Sequence, residues 1–125
     1  MRHSMADYVD LIGLPFEYRA RGPEAYDCYS LVSELYRRDG IELPDYQRPE
    51  DRTRIVAMML GELRLWEECE PTPGAVVLFR TTPQLHVGYC LEHDRFIHCV
   101  EKSGVCVERL DWWRRRVMGF YRYVG

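Results

Sequence analysis

The chain has 125 residues, 46% of them hydrophobic and 30% charged, with a formal net charge of -3; this is the length of one ordinary domain and a composition that folds rather than staying disordered. Its one single-sign run is Arg114, Arg115 and Arg116, so the broad basic footprint of a nucleic-acid binder is missing and the triplet reads as a solvated turn or helix face. Five cysteines without a CxxC pair, no basic-then-apolar leader and no apolar run near the ~18 residues of a membrane span predict a soluble product of a reducing cytoplasm, carried by something else to any substrate outside it.

In chain order, residues 5–12 predict a short helix stopped by Gly13, after which Leu14 and Pro15 begin an extended stretch and a loop runs to Asp27. From residue 28 to 39 the apolar positions Leu31, Val32, Leu35 and Tyr36 recur at helical spacing, with Asp27 as N-cap and Gly40 as a left-handed C-terminal stop. A second helical pattern, Ile55, Val56, Met59, Leu60 and Leu63, follows the Pro49-Glu50-Asp51 start signal and fades near Trp66. Beyond Pro73-Gly74 the period becomes that of strands, over 75–80, 86–91, 95–100, 105–109 and 117–124, with turns at Glu92-His93-Asp94 and Lys102-Ser103-Gly104. Helices first and five strands afterward predict a single α+β domain over 1–125. Its N-terminal helices would pack on one face or end of a five-stranded antiparallel meander.

Cys28 stands where a helix begins. A helix N-terminus favours the thiolate by only ~0.3 to 1 kcal/mol, less than the ~1.4 kcal/mol of one pKa unit, so a reactive thiol here needs a cationic imidazole partner. Taken alone, Cys28 reads as a small buried hydrophobe at a helix start, and it is the histidines that change the balance. The adjacent Asp27 carboxylate opposes a thiolate if it lies close, which leaves it either turned away as a cap or holding a substrate amine. His86 and His98 lie twelve residues apart on successive predicted strands. If Leu91 opposes Arg95, the pairing sum is even, and the two histidines share a face as diagonal neighbours roughly 7 to 8 Å apart. Gly88 then lies opposite His98, leaving a gap for the start of the Cys28 helix. Cys90 has the same parity, so a zinc set of Cys28, Cys90, His86 and His98 is a rival, disfavoured by the absence of closely spaced ligand pairs.

Three motifs in order carry a resemblance. Tyr26-Asp27-Cys28-Tyr29-Ser30-Leu31-Val32, with Leu43-Pro44 after the helix, is similar to the nucleophile motif of the NlpC (NlpC/p-sixty) family of cysteine peptidases. Pro73-Gly74-Ala75-Val76-Val77-Leu78-Phe79 resembles that family's PGDLVFF strand, His86-Val87-Gly88 its HVGIY base motif, and Phe96-Ile97-His98 the strand bearing its third polar residue. Gly13-Leu14-Pro15-Phe16, leading through Arg21-Gly22-Pro23 to the cysteine, resembles most the short tail-assembly members of long-tailed phages.

The resemblance implies a papain-like fold and a Cys-His-His triad: Cys28 attacks, His86 takes the proton and His98 fixes the His86 ring. It also implies no cofactor or metal, and cleavage of peptidoglycan stem peptides, commonly next to D-glutamate or diaminopimelate, with delivery in a virion tail. Neither nucleic acid nor membrane is expected as a partner. Two departures stand out. Phe16 occupies the place of a family tyrosine that supplies an oxyanion donor, which leaves the Cys28 backbone N–H and Tyr18 as expected donors. Tyr29-Ser30 replaces the usual Ser-Gly, so Tyr29 is expected to narrow the cleft, with Asp27 beside it as a candidate substrate contact. Rival readings are a structural tail-assembly protein without activity and an acyltransferase or amidase on the same fold.

Overall fold

A computed structural model of the chain describes residues 7–46, 61–81 and 85–125. Helix α1, Cys28–Arg38, starts on a capping box: the Asp27 carboxylate accepts from the Ser30 N–H while the Ser30 hydroxyl accepts from the Asp27 N–H. It ends where Gly40 takes a φ of +84° and Ile41 N–H bonds back to Tyr36. Of the helix expected at 5–12, the described part is the 3-10 turn Val9–Leu11. The helix expected at 55–63 falls largely outside the described residues, its end being a 3-10 turn, Leu63–Leu65.

The strands are β1 Trp66–Glu68, β2 Val76–Arg80, β3 Leu85–Cys90, β4 Arg95–Val100, β5 Gly104–Arg109 and β6 Val117–Tyr123, forming one six-stranded antiparallel sheet in the order β1-β6-β2-β3-β4-β5. This corrects the five-stranded meander in two places. β2 to β5 do run as a meander, but β6 returns to the far side of β2, and it then pairs with β1, a strand too short to announce itself by alternation.

The arrangement on one face is also corrected. Leu31, Val32, Leu35 and Tyr36 of α1 pack against Val76, Leu78, Val87, Tyr89, Ile97 and Cys99. The alternate residues Val77, Phe79, Cys90 and Phe96 pack on the opposite face against Leu110, Trp113 and Phe120. Those last residues belong to, or surround, the short helix α2, Leu110–Trp113, and the arginine triplet forms an exposed 3-10 turn after it. Both faces are covered, which is why β2 is apolar at consecutive positions rather than alternating.

Candidate active site

Ahead of α1, the chain is zipped to the strand edge and then to the helix start. Gly13 N–H bonds to Val105 O and Val105 N–H to Leu14 O; Tyr26 N–H bonds to Pro15 O and Glu17 N–H to Tyr26 O. This brings Phe16 and Tyr18 beside the first residue of α1, in a cleft also lined by Asp27, Cys28, Leu85, His86, Glu101 and Trp113. Cys28, the nucleophile candidate, lines this cleft and is 8% exposed.

Asp27 resolves toward the cap. One carboxylate oxygen accepts from Ser30 N–H at 2.9 Å and the other from Arg19 N–H at 3.2 Å, and the residue is buried. Both oxygens are engaged by backbone, so holding a substrate amine is not the task that its geometry favours. Tyr29 is placed differently from the expectation. Its side chain is fully buried, with the ring against Tyr46 and the hydroxyl donating to Pro44 O at 2.7 Å. Residue 29 follows Cys28 by one, about 100° around the helix, and so faces the core and not the cleft.

The two histidines meet as their parity requires. Tyr89 pairs with Ile97 and Cys90 with Phe96, while Leu91 N–H bonds to Arg95 O, which is the even register. His86 Nε2 lies 2.8 Å from His98 Nδ1. The gap at Gly88 is filled otherwise than expected, because a Cβ there would meet Phe96 Cδ2 at 3.0 Å and His98 Cβ at 3.4 Å. The histidines occupy the sheet face opposite α1, in an aromatic nest of Phe79, Phe96 and Trp113. Cys28 and His86 reach the common cleft from different layers, at the end of β3. Cys90 lies in the second core and Cys28 in the first, on opposite faces of the sheet.

Burial, with the nearby His98, pushes the His86 imidazole down to about 3. Burial lowers His98 as well, against the opposing pull of Glu108. The pair is therefore neutral at rest, which corrects the expectation of a cationic partner, because burial penalises the charged ring. The remaining thiols are held protonated: burial raises Cys69, pushes Cys90 and Cys99 up to about 12, and, helped by Glu108, pushes Cys106 up to about 11.

Sequence reasoning missed two residues of this constellation. Glu108 Oε2 lies 2.7 Å from His98 Nε2, and Trp113 Nε1 donates to the other Glu108 oxygen at 3.0 Å. Burial opposes the Glu108 charge, but hydrogen bonds from Trp113 and His98 outweigh it and hold the carboxyl below its usual range. A signal existed. Across the turn between β4 and β5 the pairing sum is again even, with His98 opposite Cys106 and Phe96 opposite Glu108, so the same parity argument places Glu108 on the histidine face. One ring nitrogen of His98, Cys106 Sγ and one carboxylate oxygen of Glu108 lie within 4.8 Å of one another. The 2.7 Å nitrogen–oxygen separation is that of a direct hydrogen bond, shorter than the ~3.3 Å between two ligands of one tetrahedral zinc.

Comparison with known proteins agrees with this architecture. The model of the NlpC/P60 family matches residues 13–122. Tail tip assembly protein K of Escherichia phage lambda is 28% identical over 111 residues, covering 78% of this chain and 53% of that protein. Murein DD-endopeptidase MepS/Murein LD-carboxypeptidase of Escherichia coli K12 is 25% identical over 118 residues, covering 90% of this chain and 57% of its own length. The chain thus spans about half of each of these relatives. Among solved structures, the NlpC/p60 domain of the peptidoglycan hydrolase SagA superposes with a TM-score of 0.61 at 16% identity, covering 90% of this chain and 89% of that one, a likeness of fold.

Proposed function

This chain belongs to the NlpC/P60 family, and on that footing we propose that it is a cysteine endopeptidase that hydrolyses peptide bonds in peptidoglycan stem peptides. The observation that carries the reading is the His86–His98 pair, 2.8 Å apart, whose first member lines one cleft with Cys28 at a helix start.

In the proposed reaction Cys28 Sγ attacks the scissile carbonyl carbon while its proton passes to His86. The receiving atom is Nδ1, because Nε2 is engaged by His98. The carbonyl oxygen becomes an oxyanion, held by the Cys28 backbone N–H and the Tyr18 hydroxyl. Collapse of the tetrahedral intermediate breaks the C–N bond, His86 returns the proton to the leaving amine, and an acyl thioester remains. Water, deprotonated by His86, then releases the acid and the thiol. With His86 neutral at rest, thiol deprotonation accompanies attack rather than preceding it as a standing ion pair.

The similarity to a phage tail-tip protein supports a tail-associated role, with made-in-cytoplasm enzyme delivered to the wall by a virion. Phe16 supports a second reading, a tail-assembly protein of this fold without activity, since it puts an aromatic ring without a donor in the cleft. Defined stem peptides incubated with the protein and analysed by mass spectrometry decide between them. Cleavage at one amide bond, lost in Cys28→Ala, is the expected result. Absence of cleavage across stem peptides with free and cross-linked termini favours the second reading, and acyl transfer without hydrolysis places the chain among acyltransferases.

A further inference from the structure

We propose that Glu108 is a positioning residue of this site: clamped by Trp113, its carboxylate sets the tautomers of His98 and His86 and balances the charge that arises when His86 takes the Cys28 proton. The proposal rests on the Cys28–His86 reading above.

A chain of hydrogen bonds links Glu108 to His86 through His98. An ionised carboxylate can only accept, so the 2.7 Å contact has His98 Nε2–H as donor. A neutral imidazole carries one N–H, which leaves His98 Nδ1 as an acceptor. The 2.8 Å contact between the rings then has His86 Nε2–H as donor. His86 is left with its lone pair on Nδ1, the atom that must receive the thiol proton. Reversing both tautomers would put a hydrogen on that atom and disable the base. The Trp113 indole N–H, 3.0 Å from Glu108 Oε1, fixes the carboxylate, and the same Trp113 ring is a wall of the cleft.

Charge balance points the same way. When the Cys28 S–H bond breaks and the His86 Nδ1–H bond forms, His86 becomes an imidazolium inside an uncharged nest of Phe79, Phe96 and Trp113. Cys106, 3.8 Å from Glu108, stays a neutral thiol. Arg116 sits over the Trp113 ring, 4.7 Å from its centroid, while Asp27 and Glu101 lie on the cleft side. Among the described residues Glu108 is the carboxylate hydrogen-bonded to the pair, and its side chain is 28% exposed, so it keeps its own charge hydrated at the outer end of the relay. A buried imidazolium without it would be disfavoured.

The test reads the thiol directly and needs no substrate. Alkylation of Cys28 by iodoacetamide is followed by peptide mapping across pH in the natural protein, Glu108→Gln, Glu108→Asp and His86→Ala, with melting curves for each. Glu108→Gln keeps the shape but loses the charge and can present an N–H to His98. Its profile should move to higher pH by about one unit, so that modification near neutrality slows roughly tenfold, with little change in melting. Glu108→Asp, which keeps the charge, should fall between. In parallel, nitrogen-15 NMR of the natural protein should find the imidazole protons of both His86 and His98 on Nε2, a reading that depends on no variant. A Glu108→Gln profile matching the natural one while His86→Ala is slow overturns the relay and leaves the peptidase site standing. Natural rates in both variants overturn the His86 assignment itself. A resting proton on His86 Nδ1 overturns the tautomer argument.

Discussion

Replacing His86 by glutamine should remove a specific acid sensitivity from the fold. Glutamine can still donate an amide N–H toward His98 Nδ1 but cannot titrate. In the folded protein burial holds His86 down to about 3, whereas in the unfolded chain an imidazole titrates near ~6.5. A histidine with a depressed folded pKa contributes its stability fully above the unfolded value and loses it as pH falls toward the folded one. Between these values the unfolded state binds the extra proton. At about pH 5 the difference amounts to at most ~2 kcal/mol for His86, and at about pH 7.5 to nearly nothing. Water at the cleft mouth reduces the upper figure, so a contribution of about 1 to 2 kcal/mol is expected. Urea unfolding at both pH values, for the natural protein and His86→Gln, measures it as a difference of differences. Carboxylate titration common to the two proteins cancels. The natural protein should lose about 1 to 2 kcal/mol more than the variant on acidification; equal losses would refute the view that His86 is held neutral by burial.

Three further outcomes follow from other parts of the site. Tyr18→Phe should lower turnover on a cleaved stem peptide about a hundred- to a thousandfold with the fold intact, and Phe16→Tyr should partly restore it; unchanged turnover in both would remove Tyr18 from the oxyanion site. Iodoacetamide at neutral pH should modify Cys28 first, because burial keeps Cys69, Cys90, Cys99 and Cys106 protonated; equal labelling of any of these would count against it. Gly104→Ala should lower the melting temperature by roughly 8 °C or more. Gly104 has a φ of +70° and a Cβ there would overlap the Leu14 carbonyl oxygen, so an unchanged melting curve would show that the 13–16 segment does not depend on this contact.

Much of this site could be read before any coordinates, and the reason is that its information is local. The capped start and glycine stop of α1 are set by residues at its two ends, Asp27, Ser30 and Gly40. The meeting of His86 and His98 depends on the parity of one tight turn, which sequence spacing carries. What adjacency could not supply was set by contacts distant along the chain. β6 inserts between β1 and β2 because its apolar residues complete both cores, a choice made by packing on two faces at once. Tyr29 turns inward because Tyr46 and Pro44 receive it. The histidines lie on the face opposite α1, and it is at the end of β3 that His86 comes to line one cleft with Cys28. Glu108 and Trp113 join them from β5 and α2: turn parity puts Glu108 on the histidine face, but its role exists only because tertiary packing removes water from the imidazoles, brings Trp113 onto the carboxylate and makes each hydrogen-bond partner count.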